Sequence, residues 1–268
     1  MNFEDTFIGR PNTVATYRSL FKHHIKPLVE ISYAEVWKEH QMQALLSVWE
    51  AKGLSRRTQQ MLLRLLRDYI AFLGGPTIDT KGIARTLERS EQQEELLVLN
   101  KEQAASLMEK ARTLDPGFYP ILLLGLHAGL RRGEVFGLQC GDIDMFKNRI
   151  RVAHSYNGPT KNGKTRFVPM SGELDKTMVA ARNLLMRPTE AKIFEQMNPN
   201  PRLRRLLRAA NLPTLRFHDL RHTFATMALE SGVSPRQVAS WLGHSSVNTT
   251  LSIYWNLTKD EASVDFLP

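Results

Sequence analysis

Two stretches of this sequence concentrate side chains that can hold phosphate. Lys147, Arg149, Arg151, Lys161, Lys164 and Arg166 follow one another with no acid between them, and Arg202, Arg204, Arg205, Arg208, Arg216 and Arg221 follow with Asp219 alone among them. Basic clusters that flank polar histidines and lysines read as a phosphate-lined cleft. His218 and His222 are four residues apart, a spacing that on a helix could grip zinc. The glutamate of a zinc-protease motif is absent and no third ligand is evident, so no metal site is expected. Arg131 and Glu134 share a face if their segment is helical. Tyr254 and Trp241, each read in isolation, are packing residues.

These residues fall in five segments whose order is informative: Ala128-Gly-Leu-Arg-Arg-Gly-Glu-Val-Phe-Gly-Leu138, Thr160-Lys-Asn-Gly-Lys-Thr-Arg-Phe-Val-Pro-Met170, His218-Asp-Leu-Arg-His-Thr-Phe-Ala-Thr226, Trp241-Leu-Gly-His-Ser-Ser246 and Thr249-Thr-Leu-Ser-Ile-Tyr254. Together they resemble the first arginine box, lysine hairpin, HxxR box, third box and nucleophile segment of the tyrosine recombinases, the integrases of phages and mobile elements. Any one box would be weak, but five in order are specific. The resemblance covers residues 95–260 directly and 10–75 more loosely.

The resemblance implies Tyr254 as nucleophile, Arg131 and Arg221 as phosphate clamps, Lys161 as general acid, and His218 and His244 as supporting donors. Glu134 is implied as a carboxylate that orients the cations. Lys164 competes with Lys161, which holds the place of the family's lysine relative to the second strand. The implied chemistry is coherent. Attack on a phosphodiester spreads charge over non-bridging oxygens, which two planar guanidiniums can hold with paired bonds. A phenol with an ordinary pKa near 10 needs nearby cations to ionise as it attacks. Where the family often has a small residue and a histidine after the tyrosine, this chain has Trp255-Asn256.

The pattern along the chain, together with the resemblance, gives a mainly α fold with a small antiparallel β-sheet as the frame for such a set. A helical pattern runs from residue 12 to about 73, its last helix capped by Ser55 and ended by Gly74-Gly75-Pro76. Arg56, Arg57, Arg64 and Arg67 make one side of that helix basic, which reads either as a solvated face or as a DNA-facing one. The charged run 88–95 reads as a connector, and Asn100 with Gln103 marks a capped helix to about 113. The pattern sets a boundary near residues 88–99, and the resemblance implies that residues 1–87 are a helical, SAM-like core-binding domain, 88–99 a linker, and 100–268 a mixed α+β catalytic domain. Helix is expected at 117–128 and 132–138. Strands are expected at 149–155 and 165–170, joined across Asn162-Gly163, a favoured hairpin turn. Arg202, Arg204 and Arg205 read as a DNA contact or a solvated helix face, and Lys164 and Arg166 as DNA contacts. The apolar Phe266-Leu267-Pro268 is a candidate dock for a neighbouring subunit.

The chain has 268 residues, 42% hydrophobic, with 36 Lys+Arg against 27 Asp+Glu for a net charge of +9. That excludes disordered, collagen-like and disulfide-stapled classes and points to a polyanion partner. A single cysteine, Cys140, fits a reducing cytoplasm, and the resemblance implies a bacterial or phage-infected bacterial cell and a place on the nucleoid. The N-terminus does not read as a signal peptide, and residues 119–130 are too short an apolar stretch to span a bilayer. With so few residues before the first helix, no arm-binding domain is expected there. The resemblance implies a homotetramer on double-stranded DNA, with a DNA-bending accessory protein as a candidate partner, no membrane and no cofactor. The rivals are a DNA-binding regulator, since 232–250 resembles a helix-turn-helix, and a type IB topoisomerase-like nicking and closing enzyme.

Overall fold

A computed structural model describes residues 2–9, 11–29, 39–75, 97–160, 163–180 and 187–257. The chain divides into two compact units, Met1–Glu94 and Glu95–Pro268. Their described residues are mostly helical with small antiparallel sheets.

In the first unit, α1 (Pro11–Leu20) runs through a π-helical turn, Phe21–Ile25, into α2 (Lys26–Val29), followed by α3 (Glu39–Ala51) and α4 (Arg56–Phe72). The α4 start is the one its sequence predicts: the Ser55 hydroxyl accepts the Thr58 N–H. Leu62, Leu65, Leu66 and Ile70 recur at helical spacing and bury that stripe with Trp49, Phe21 and Ile25. Phe3, Phe7, Phe21 and Tyr69 meet at centroid distances of 4.9–6.3 Å in edge-on or tilted pairs.

The second unit begins with α5 (Lys101–Leu114), where Asn100 and Gln103 exchange the two bonds of a capping box. Helix α6 (Tyr119–Leu126), buried at every residue but the half-buried Pro120, is the core of this unit. A single turn, α7 (Arg132–Val135), follows, and the helix expected over 132–138 stops there. Gly137 lies so close to the Ser155 backbone that a Cβ would sit 2.6 Å from it, and the bonds Gly137 N–H to Glu134 and Leu138 N–H to Val135 are tight three-residue closures.

Strands β1 (Ile143–Asp144), β2 (Arg149–Val152) and β5 (Arg166–Pro169) form an antiparallel sheet in the order β1-β2-β5. The expected strand over 149–155 breaks at Val152, because β3 (His154–Ser155) turns back onto β4 (Gly158–Pro159) as a separate hairpin. Register decides direction here. Ile150 faces Val168 and Val152 faces Arg166, so Arg166 shares the buried face. Arg149 and Phe167 take the other face, with the guanidinium 4.1 Å from the ring centroid.

Helices α8 (Gly172–Ala180), α9 (Asn200–Ala209), α10 (Asp219–Glu230), α11 (Pro235–Leu242) and α12 (Val247–Leu257) complete the unit. No described helix is long and apolar enough to cross a membrane.

Candidate active site

The site is organised by the C-terminus of α11. An α-helix leaves its last four carbonyls without intrahelical donors. At this end Gly243 adopts a left-handed turn, φ +64°, which sends the His244 N–H to Ala239 C=O at 3.0 Å and the Gly243 N–H to Ser240 C=O at 3.1 Å. Two carbonyls remain, Trp241 and Leu242, and arginines take both. Arg166 Nε donates to Trp241 C=O, while Arg131 Nη1 (3.3 Å) and Arg221 Nη2 both donate to Leu242 C=O. The negative end of a helix dipole thus gathers three guanidiniums that would otherwise repel one another.

Arg221 is buried in α10 and also donates Nη1 to Gly129 C=O at 2.7 Å. That carbonyl is presented by a glycine at φ +61° with Leu242 and Phe224 packed against it. Desolvation, with Arg131 close by, pushes the Arg221 guanidinium down to about 9. It stays charged at neutral pH, and an incoming anion would relieve that penalty.

Arg131 sits at the N-cap of α7 with Glu134 at the third helical position. The three-residue spacing is therefore a cap rather than two neighbours inside a helix: Glu134 Oε2 accepts the Arg131 N–H at 2.8 Å, and Oε1 accepts Arg131 Nη1 at 2.9 Å. Arg166 closes on the same carboxylate, Nη1 to Oε1 at 2.8 Å and Nη2 to Oε2 at 2.7 Å. Burial alone would raise Glu134, but the Arg166 and Arg131 contacts bring it down to about 2.

His244 Nδ1 lies 2.8 Å from Thr250 Oγ1, on the helix that carries Tyr254 one turn later. With the proton on Nε2, the Thr250 hydroxyl donates to Nδ1 and Nε2–H is left as an outward donor. His218 caps α10, its ring edge-on to His222 at 5.2 Å between centroids. Among the described residues no cluster of three or more His, Cys, Asp or Glu could hold a metal. Partial desolvation, then nearby cations, lower His218 and His244 to about 4.

A folded pKa near 4 against an ordinary 6.5 means that the unfolded chain binds more protons between those values. Stability is then complete above about 6.5 and declines as pH falls toward 4. Urea midpoints measured from pH 7.5 to 4.5 should fall steadily, and the His244→Asn, His218→Asn double variant should flatten that slope. An unchanged slope in the double variant counts against the depressed histidines.

A cavity of about 200 Å³ opens beside this cluster, lined by Arg131, Thr160, Lys164, Arg166, Gly243, His244 and Ser245. Gly163, at φ +67°, returns its N–H to Thr160 C=O at 2.9 Å. Lys161, Asn162 and the C-terminal Phe266-Leu267-Pro268 lie outside the described residues, as does the side chain of Tyr254.

The other basic residues divide differently from their clustering in sequence. Arg166, grouped there with the DNA contacts, has a side chain only 10% exposed and serves Glu134 and Trp241. Arg202 and Arg205 converge on the buried Asp115, the first through Nε at 2.9 Å and the second at 2.8 Å, and Arg202 also covers the Phe118 ring at 5.1 Å. Arg204 is exposed, as are Arg57 and Arg64 on α4, while Arg56 and Arg67 are half-buried and Arg67 pairs with Asp68 at 2.8 Å. Two contributors escaped sequence reading, Thr250 and the carbonyl of Leu242. Thr250 lies four residues before Tyr254, a legible helical spacing, whereas a carbonyl has no sequence signal.

Comparison with known proteins accords with this geometry. The sequence profile of the phage integrase family matches residues 97–261. Tyrosine recombinase XerA of Saccharolobus solfataricus is 34% identical over 150 residues, which is 55% of this chain and 48% of that protein. The chain thus aligns with about half the length of that relative. The structure of the Tn1549 transposon integrase in complex with a circular intermediate DNA superposes with a TM-score of 0.77 at 20% identity, covering 97% of this chain and 93% of that one. A lambda integrase tetramer bound to a Holliday junction superposes with a TM-score of 0.72 at 16% identity, covering 93% and 73%. With the arginine pair on one helix terminus, His244 beside the cavity and a family match over more than half its length, the chain belongs to the phage integrase family.

Proposed function

We propose that the protein is a site-specific DNA recombinase that cuts and rejoins strands through a 3′-phosphotyrosyl intermediate, integrating or excising a mobile element or phage genome. The observation that carries this reading is the convergence of Arg131 and Arg221 on one carbonyl, with His244 beside the adjoining cavity. Two buried or half-buried guanidiniums held at one point are suited to the non-bridging oxygens of a single phosphodiester. Tyr254 is the nucleophile: its phenolic oxygen gives up its proton to solvent and forms a bond to phosphorus as the bond to the 5′-oxygen breaks. That oxygen takes its proton from Lys161, with Lys164, which lines the cavity, as the alternative donor. His218 and His244 donate to the phosphate, and the ester conserves the bond energy for rejoining.

The partner is double-stranded DNA, held by the exposed arginines of α4 and by Arg204, so binding weakens steeply with salt. Four protomers act on two sites through a Holliday junction, in the bacterial nucleoid, with a DNA-bending protein where the site demands one. The core-binding domain ends near residue 87 and the catalytic domain begins near 100.

The test uses a nicked suicide duplex carrying a site selected from a random-sequence library by its affinity for the protein. A protein–DNA adduct that survives SDS is expected, and Tyr254→Phe should abolish it. A tightly bound site with no adduct supports the regulator. Adducts that relax supercoils without strand exchange support the topoisomerase.

A further inference from the structure

Arg166 is the one guanidinium of the cluster for which the recombinase chemistry leaves no task. We infer that Arg166 is a positioning residue that balances the Glu134 charge and so keeps Arg131 available for phosphate; the inference rests on the recombinase reading. Its strand register turns Arg166 onto the buried face of β5, opposite Val152. There all three of its nitrogens are used, Nη1 and Nη2 on the two oxygens of Glu134 and Nε on the carbonyl of Trp241.

Glu134 is the only carboxylate that touches Arg131 among the described residues, and both its oxygens accept from Arg131 as well as from Arg166. A buried carboxylate facing a single arginine would draw that arginine into a bidentate pair. With Arg166 forming the bidentate pair instead, Arg131 gives Glu134 only Nη1 from its side chain. Its Nε and Nη2 make no hydrogen bond among the described residues, and Arg131 reaches the cavity wall. Arg166 also spans three elements, joining β5, the strand that follows the lysine hairpin, to the α7 cap and the α11 terminus. Gly243 is adapted to it, since a Cβ there would lie 3.0 Å from Arg166 Cδ.

The alternative is a direct DNA contact or a plain structural brace, and a double-mutant cycle separates them. On the selected suicide duplex, Arg166→Gln should slow single-turnover adduct formation at saturating DNA by at least about 100-fold, the size of losing one charge-stabilising donor. DNA affinity and its salt dependence should stay as in the wild type. Adding Glu134→Gln to that variant should recover at least about tenfold of the lost rate, because the uncompensated charge is gone. Arg166→Lys, which retains charge without the planar fork, should fall between wild type and Arg166→Gln. The inference is overturned if Arg166→Gln weakens binding and lowers the salt slope by about one, as a phosphate contact would. It is equally overturned if the double variant is slower than Arg166→Gln, or if Arg166→Gln cleaves at the wild-type rate. Should Arg166→Gln fail to fold, the double variant still decides against Glu134→Gln alone, since a double variant that folds yet cleaves at least about tenfold more slowly than Glu134→Gln refutes charge balance. A wild-type protein that forms no adduct on the site it binds removes the recombinase reading itself.

Discussion

Arg221→Ala is expected to reduce single-turnover strand cleavage by at least about 10³-fold, in the range seen when a transition-state guanidinium or oxyanion donor is removed. DNA affinity should change little, because Arg221 is 2% exposed and duplex binding rests on surface cations. Two effects on stability oppose each other. Truncation removes a desolvated cation, which is favourable, but it takes donors from the Gly129 and Leu242 carbonyls, a penalty of about 1–3 kcal/mol for each buried polar group left unmade. Leu242 C=O still has Arg131, so the Gly129 carbonyl bears most of the cost. Arg221→Lys should also lose activity, since one ammonium cannot span two carbonyls and still present a planar fork to phosphate. Adduct yield against time, read with thermal melts of the same samples, checks this. An Arg221→Ala protein that cleaves at the wild-type rate would remove the clamp from the mechanism.

The largest effect on stability is expected at Gly129. Its φ of +61° disfavours any Cβ by about 1 kcal/mol, and here a Cβ would also meet Leu242 Cδ2 and Phe224 Cδ1 at 2.6 Å each. Forcing one carbon into a packed core adds roughly 1–3 kcal/mol. Gly129→Ala should therefore cost about 2–4 kcal/mol, a fall in Tm on the order of 10 °C for a unit of this size. Gly232→Ala is the control: its φ is +83° but nothing lies within 4 Å of the added Cβ, so only the backbone cost of about 1 kcal/mol should appear. Equal losses in the two variants would show that packing against Leu242 and Phe224 contributes nothing. Because Gly129 also supplies a carbonyl to Arg221, surviving Gly129→Ala protein should cleave more slowly per folded molecule.

Much of the local structure was legible because its causes are local. Ser55 before Arg56, Asn100 three residues before Gln103, and Ser234-Pro235 each satisfy orphan amides within one helical turn. The hairpin over residues 154–159 was not legible, because its pairing covers only two residues on each side and competes with a longer strand pattern. The single-turn length of α7 was hidden too, as the backbone approach of Ser155 to Gly137 ends the helix from outside.

By itself, the sequence determined which residue types were present in which order, and with them the family and the mainly α class with a small sheet. Through the resemblance of its five ordered boxes it also supplied the expectation that some arginines act on phosphate, which the proposed function carries forward. Tertiary structure alone decided how the arginines divide. Arg166 stands in the same basic run as Lys164 and lines the same cavity, yet the pairing of β5 with β2 sets it opposite Val152 on the buried face, where it serves Glu134. Arg202 and Arg205 read as one cluster with Arg204, yet Asp115, far away in the chain, holds the first two and leaves the third to solvent. The physical reason is common to both cases. A guanidinium's task is set by the acceptors within about 3 Å of it, and at the α11 terminus those acceptors are backbone carbonyls that every residue carries and no sequence distinguishes.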